Sequence, residues 1–175
     1  MLITKHITEQ SKELTQIEIL YQRSFPDNER RPLAPLLRDS SDNSEVIAFY
    51  DGTIFCGFAC LLTYQDITHI IYFCIDDTLR GKGYGSEALA AMREMKSGNR
   101  IIVDIEIENE HALNNEQRII RKKFYLRNGY IESDVKYRWR NESYEILVCG
   151  GIISKKEFHS FWKSIDLINN KLSIY

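Results

Sequence analysis

Two stretches of the chain hold residue types in an arrangement that does chemistry. The first is Arg80-Gly81-Lys82-Gly83-Tyr84-Gly85-Ser86, which follows an apolar run ending at Ile75 and opens a helical pattern. Glycines remove side chains and let backbone N–H groups reach a phosphate, and a helix N-terminus adds unpaired donors and a positive dipole end. Lys82 adds charge, so the segment reads as an anion site. It is neither G-x-x-x-x-G-K-[ST] nor G-x-G-x-x-G, which removes the usual entries for ATP and NAD. The second stretch is 101–108, a strand in which Val103, Ile105 and Ile107 alternate with Asp104, Glu106 and Glu108. A period of two puts the carboxylates on one face.

The elements that must position these groups follow from periodicity. A short strand at 2–7 precedes an amphipathic helix at 9–24, where Leu14, Ile17, Leu20 and Tyr21 recur at helical spacing until Pro26. Pro32 and Pro35 open a shorter helical piece reaching Arg38, and the polar run 39–44 is a loop. Strands at 46–50 and 53–64 flank Asp51-Gly52, a hairpin signal, and a third strand covers 69–75. Helices at 83–95 and 115–128 bracket the acidic strand. A hairpin of 130–140 and 143–149 follows, and Ser154 caps a final helix with Phe158, Phe161, Trp162 and Ile165 on its apolar face. This order gives an α/β (α+β) protein whose sheet is mixed and mostly antiparallel.

Length and composition bound the function. The chain has 175 residues, 23 Lys plus Arg against 25 Asp plus Glu, and a formal net charge of −2. That is one domain's worth of chain, 1–175, with 152–175 as a C-terminal helical extension. The charge balance argues against a nucleic-acid partner. No apolar run approaches a membrane span, and residues 1–6 lack the pattern of a signal peptide, so a cytoplasmic protein without a membrane partner is expected. Cys56, Cys60, Cys74 and Cys149 lie in strand-like runs without C-x-x-C spacing, which suits buried thiols better than disulfides. No histidine falls at a zinc-ligand distance from them, so no metal is expected.

Arg80, Gly83 and Gly85 match R/Q-x-x-G-x-G/A, and Ile75 precedes them as the end of a fourth strand. Further on, Tyr125-Leu126-Arg127-Asn128-Gly129-Tyr130 is similar to Tyr-x-x-x-Gly-Phe at a helix-to-strand exit. With the element order over nearly the whole chain, these features resemble the GNAT acetyltransferase superfamily. The resemblance implies a central sheet of about seven strands flanked by helices, with the last helix as an addition. It implies acetyl-CoA as co-substrate, its pyrophosphate on the amides of Arg80, Gly81, Lys82, Gly83, Tyr84, Gly85 and Ser86. Backbone groups at Cys74 and Ile75 would hold the pantetheine arm and polarise the thioester carbonyl. Tyr125 matches the tyrosine that protonates the departing thiolate in many relatives, a role suited to a phenol.

The acceptor amine must lose a proton before attack, and a carboxylate or imidazole suffices for that. His69 stands where some members place a base on the fourth strand, and it also reads as a strand-start residue facing solvent. Glu106 and Glu108 are the alternatives, with Glu106 deeper in the strand. The family's asparagine after the fifth strand has no fixed counterpart, and Asn114 or Asn115 takes that role, or the intervening loop covers the cleft. Glu29, Arg30, Arg31, Tyr137 and Trp139 frame the acceptor side as a mixed pocket, or are loop charges and strand aromatics. A basic run from Arg118 to Lys123 either meets the CoA 3′-phosphate or is a solvated helix face. The function expected from these residues is acetyl transfer to a primary amine of a small molecule by direct attack. Two others stay open, a protein or peptide lysine acceptor and a non-catalytic acyl-CoA-binding domain. Monomer and homodimer are both open.

Overall fold

The computed structural model describes residues 2–27, 29–37 and 43–168. Its seven strands form one sheet: β1 (Ile3–Ile7), β2 (Ser44–Asp51), β3 (Ile54–Tyr64), β4 (Ile67–Ile75), β5 (Arg100–Glu106), β6 (Ile131–Trp139) and β7 (Glu142–Cys149). The spatial order is β1-β2-β3-β4-β5-β7-β6, antiparallel throughout except for β4 beside β5. The helices are α1 (Leu14–Ser24), α2 (Ala34–Leu37), α3 (Tyr84–Met95), α4 (Asn115–Arg127) and α5 (Lys155–Ile168). Alternating strand residues feed two cores. One packs α1, α2 and α5 around Phe58, Leu62 and Ile146; the other packs α3 and α4 around Phe49, Leu61 and Leu147.

The parallel pair is short. Ile67–Ile70 align with Arg100–Val103, and no pairing continues beyond them. Opposite Cys60 and Leu61 the ladder skips Ile71, an extra residue in β4 that bends the strand. Past this bulge β4 continues along β3 to Ile75, while β5 continues along β7 to Glu106. The two middle strands therefore part.

Two expected boundaries shift for local reasons. Helix α1 begins at Leu14 because residues 8–11 form a turn, in which the Thr8 N–H donates to Ser11 Oγ at 2.9 Å and the Ser11 N–H donates to the Thr8 carbonyl at 3.0 Å. Strand β5 ends at Glu106, so Ile107 and Glu108 fall outside the alternation expected of 101–108. Arg38 and most of the 39–44 loop lie outside the described residues. Ser154 does cap α5: its Oγ accepts from the Glu157 N–H at 3.2 Å, and Glu157 Oε2 accepts from the Ser154 N–H at 2.9 Å. All four cysteines are free, and Cys56, Cys60 and Cys74 are buried.

Gly57 is where β3 must press against the parted arm of β4. A Cβ there would sit 2.1 Å from the Cys74 carbonyl oxygen and 2.9 Å from Ile75 Cα, both backbone atoms that cannot swing away. Gly57→Ala is expected to cost about 1–3 kcal/mol, the usual range for overpacking. Urea unfolding measures it, and an unchanged midpoint would contradict the close approach.

Candidate active site

The Gly-rich segment builds an anion cradle. Gly81 and Gly83 take φ of +76° and +89°, a left-handed region that disfavours side chains, and nothing lies within 4 Å of a Cβ at either. Gly83 precedes α3, whose first internal bond is Glu87 N–H to the Gly83 carbonyl at 3.1 Å. The N–H groups of Tyr84, Gly85 and Ser86 thus have no acceptor among the described residues. Gly85 fits against the Phe124 ring of α4, 3.1 Å from where its Cβ would be. The Tyr84 hydroxyl donates to Asp51 Oδ2 at 2.7 Å, tying the cradle to the β2–β3 hairpin. Arg80 pairs with Asp77 at 2.5 Å and keeps an exposed side chain.

The inner edge of β4 carries further donors. The Asp76 N–H bonds to the Cys56 carbonyl at 2.8 Å. Bonding direction alternates along an antiparallel strand, so the main-chain groups of Cys74 turn toward β3 and those of Phe73 and Ile75 turn toward the gap. Of the expected pair Cys74 and Ile75, the geometry brings Ile75 to the gap and puts Phe73 in the place of Cys74. The Cys74 thiol instead donates to Ser24 Oγ at 2.9 Å, in the core.

Acidic groups gather on the β5 side. Glu106 is buried, and both its oxygens are occupied: Oε2 accepts from Arg121 Nη1 at 2.7 Å, and Oε1 accepts from Asn114 Nδ2 at 3.2 Å beside Arg118 Nη2 at 3.3 Å. Buried Arg118 forks onto Glu142 at 3.0 and 3.2 Å. Asp104 accepts from His69 Nε2 at 2.7 Å and from the Tyr137 hydroxyl at 3.0 Å. Burial raises the Asp104 carboxyl, but these two partners together outweigh it and leave the group below its ordinary value. His69 is only 1% exposed, under the rings of Phe158, Phe161 and Trp162, which overturns the reading of a solvent-facing residue. Glu108 is exposed beyond the end of β5.

Glu29 sits on the α1–α2 connection, whose main chain is pinned by two phenols. The Tyr72 hydroxyl donates to the Glu29 carbonyl at 2.9 Å, and the Tyr21 hydroxyl donates to the Arg31 carbonyl at 2.9 Å. The Arg31 N–H in turn donates to both hydroxyls, at 2.9 and 3.1 Å. Burial, then the nearby Glu106 charge, raises the Glu29 carboxyl above its ordinary value, with Arg121 pulling the other way. Arg30 pairs with Asp27 and turns from the pocket toward the Gln22 carbonyl, 3.4 Å away. Trp139 ends β6 under Arg140, 4.3 Å from its ring, and 6.4 Å from Tyr144.

Tyr125 is buried on α4 against Phe124 and Tyr130 at 5.2 and 5.3 Å, and burial raises its phenol. The Arg121 charge pulls that phenol down and the Asp104 charge adds to the rise. Asn115 closes the preceding loop, its Oδ1 accepting from the Asn109 N–H at 2.7 Å, while Asn114 serves Glu106 and Arg118. Sequence reasoning missed Tyr144 as a site residue. It stacks on Tyr137 at 5.3 Å, and burial together with Glu29, Asp104, Glu106 and Glu142 raises its hydroxyl. Its strand alternation was the available signal. A separate open cavity of about 540 Å³ lies at the β6 irregularity, lined by Lys122, Glu132, Lys136, Glu145 and Lys155 among others.

A parted parallel strand pair with free amides at a helix start, facing a cluster of carboxylates and phenols, defines an acyl-transferase architecture. Residues 14–130 match the family model described as Acetyltransferase (GNAT) family, and the chain belongs to that family. Among solved structures, a GNAT-family chain from Bacteroides thetaiotaomicron has TM-score 0.78 at 21% identity, covering 95% of this chain and 97% of that one. The aminoglycoside 6′-N-acetyltransferase from Enterococcus faecium has TM-score 0.63 at 12% identity, covering 84% and 96%. A GNAT acetyltransferase from Elizabethkingia anophelis with acetyl-CoA bound has TM-score 0.54 at 11% identity, covering 85% and 97%. No curated protein matches the sequence. No helix among the described residues is long and apolar enough to cross a membrane.

Arg118 joins Glu106 to Glu142 from a nearly inaccessible position, 4% exposed. Arg118→Met should therefore destabilise the fold by about 3 kcal/mol or more, the range for breaking a buried pair. Denaturant titration checks this, and a loss below about 1 kcal/mol, as for an exposed pair, would contradict the buried network.

Proposed function

We propose that the protein transfers the acetyl group of acetyl-CoA to a primary amine of a small molecule by direct attack. The observation that carries this reading is the pairing of two opposite electrostatic environments at one gap. Unpaired N–H groups of α3 stand at one end, and Glu29, Asp104, Glu106 and Glu142 surround Tyr144 at the other. The open space beside Gly81 and Gly83 fits a pyrophosphate, and Arg80 and Lys82 add charge near it. Acetyl-CoA so held would lay its pantetheine arm along the Phe73 and Ile75 edge and supply the activated acyl group.

Each side chain then has a task set by its surroundings. An ammonium entering the carboxylate cluster is attracted by charge and partly desolvated. Glu106, with both oxygens engaged by Arg121, Asn114 and Arg118, acts as a fixed counter-charge. Glu29 has no described cation partner and a raised carboxyl, so it is the group suited to take the proton. Asp104 fixes the Tyr137 ring and, below the cleft, the His69 ring through its Nε2. Tyr125, kept protonated by burial, is the donor to the leaving thiolate. A small acceptor suits a site flanked by the α1–α2 connection that Tyr21 and Tyr72 pin and by the α5 rings that cover His69.

Thiol release from acetyl-CoA against a panel of amines tests the activity directly. Binding without release for every amine would favour a sensor domain. Tyr125→Phe should lower kcat about 10²-fold while acetyl-CoA affinity persists; an unchanged kcat makes Tyr125 structural. If Glu29 takes the proton, activity should fall as pH drops through a value above the ordinary carboxylate pKa of 4.5. Glu29→Gln should abolish that acid limb, and a retained limb would remove Glu29 from the proton path.

A further inference from the structure

The guanidinium of Arg31 lies over two indole rings, 5.3 Å from the centroid of Trp139 at the end of β6 and 5.4 Å from that of Trp162 on α5. Two separate elements thus supply the faces for one cation, and the connection that bears it is anchored to Tyr21 and Tyr72. Those anchors hold the main chain of Arg31. Its side chain has no hydrogen bond or ion pair with any described residue, whereas Arg30, Arg118 and Arg121 all have carboxylate partners. A guanidinium held by aromatic rings spends none of its five N–H donors on them, and its planar fork fits a carboxylate through two parallel bonds.

The positive charge stands beside the acidic cluster. Burial raises the phenols of Tyr72 and Tyr137, the latter with help from its partner Asp104, and the Arg31 charge pulls against both shifts. Tyr72 accepts from the Arg31 N–H and donates to the Glu29 carbonyl. The acceptor side is therefore bipolar, with Glu29 and Asp104 on one part and an uncommitted cation on another. A polyamine would be attracted by the carboxylates and repelled by Arg31. An acceptor carrying both an ammonium and a carboxylate satisfies both charges.

We infer that the acceptor is a small amino-acid-type zwitterion, and that Arg31, held over Trp139 and Trp162, binds its carboxylate. The inference rests on the proposed transfer to a small amine and narrows its substrate class.

The test measures thiol release from acetyl-CoA with common amino acids, each beside its carboxamide, together with cadaverine, spermidine and phosphoethanolamine. The wild-type protein is expected to prefer one or more free acids over the matching carboxamides by about tenfold or more in kcat/KM, the equivalent of one charge-assisted hydrogen bond. Arg31→Met should bring that acid-to-amide ratio close to one, and Arg31→Lys should retain part of it. Because Tyr21 and Tyr72 hold the main chain, both variants should keep the wild-type circular dichroism. If Arg31→Met fails to fold, Arg31→Lys and the wild-type ratio decide. Turnover of carboxamides, cadaverine or spermidine as efficient as that of the acids overturns the inference alone, as does a preference for phosphoethanolamine or a ratio unmoved by Arg31→Met. Absence of thiol release with every amine overturns the transfer reading and this inference with it.

Discussion

Strand β4 cannot stay beside β5 and also follow β3 to Ile75, because Ile71 inserts an extra residue and bends it after Ile70. Everything in the site depends on that divergence. On one arm, the main-chain groups of Phe73 and Ile75 are left without a strand partner. On the other, Asp104 and Glu106 stand where a paired β4 would have covered them. Unpaired backbone groups are costly unless water or a polar ligand satisfies them. The gap is thus an opening that a chain of amide groups can fill, with an anion cradle at the start of α3 closing one end. Gly57 lets β3 support the bent arm from behind, at a distance that no side chain would allow.

The acidic end raises the opposite problem, since several carboxylates near one phenol repel one another. Helix α4 answers it by sending Arg118 and Arg121 into the cluster, so that Glu106 and Glu142 are neutralised in place. Glu29 is left outside that neutralisation, and its carboxyl rises. The division gives the site one locked negative charge and one group free to exchange a proton. The same helix carries Tyr125 and the Phe124 ring that seats Gly85, so α4 couples both ends of the gap. The basic run from Arg118 is accordingly a source of ion pairs in the cleft and toward the last hairpin: Lys122 serves Glu145 on β7 and Glu132 on β6.

Much of the fold was legible because its signals are local. Alternation gave β5, Asp51-Gly52 gave the β2–β3 turn, and Ser154 gave the start of α5. The Gly-rich motif located the cradle for the same reason, since its glycines and the helix that follows are contiguous. What could not be read depends on partners distant in sequence. His69 looked like a strand-start residue open to solvent, and only the packing of α5 buries it. Cys74 was expected at the gap, but the alternation of bond direction counted from Asp76 assigns that edge to Phe73 and Ile75. Glu106 was expected as a base, whereas Arg121 and Asn114 already engage it. Tyr144 and Arg31 acquire their meaning from the carboxylates of Glu29, Asp104 and Glu106 and from two tryptophans, all brought in by other segments.

The net charge of −2 conceals this arrangement of a cationic cradle, an acidic cleft and the Arg31 charge over two tryptophans. Hydrogen exchange at single amides, with and without acetyl-CoA, tests the central claim that the parted strands and the start of α3 hold the donor. New protection is expected at Tyr84, Gly85, Ser86, Phe73 and Ile75, with Cys74 unchanged because β3 already binds it. Protection confined to the cavity around Lys136 and Lys155, or none at the α3 start, would contradict that claim.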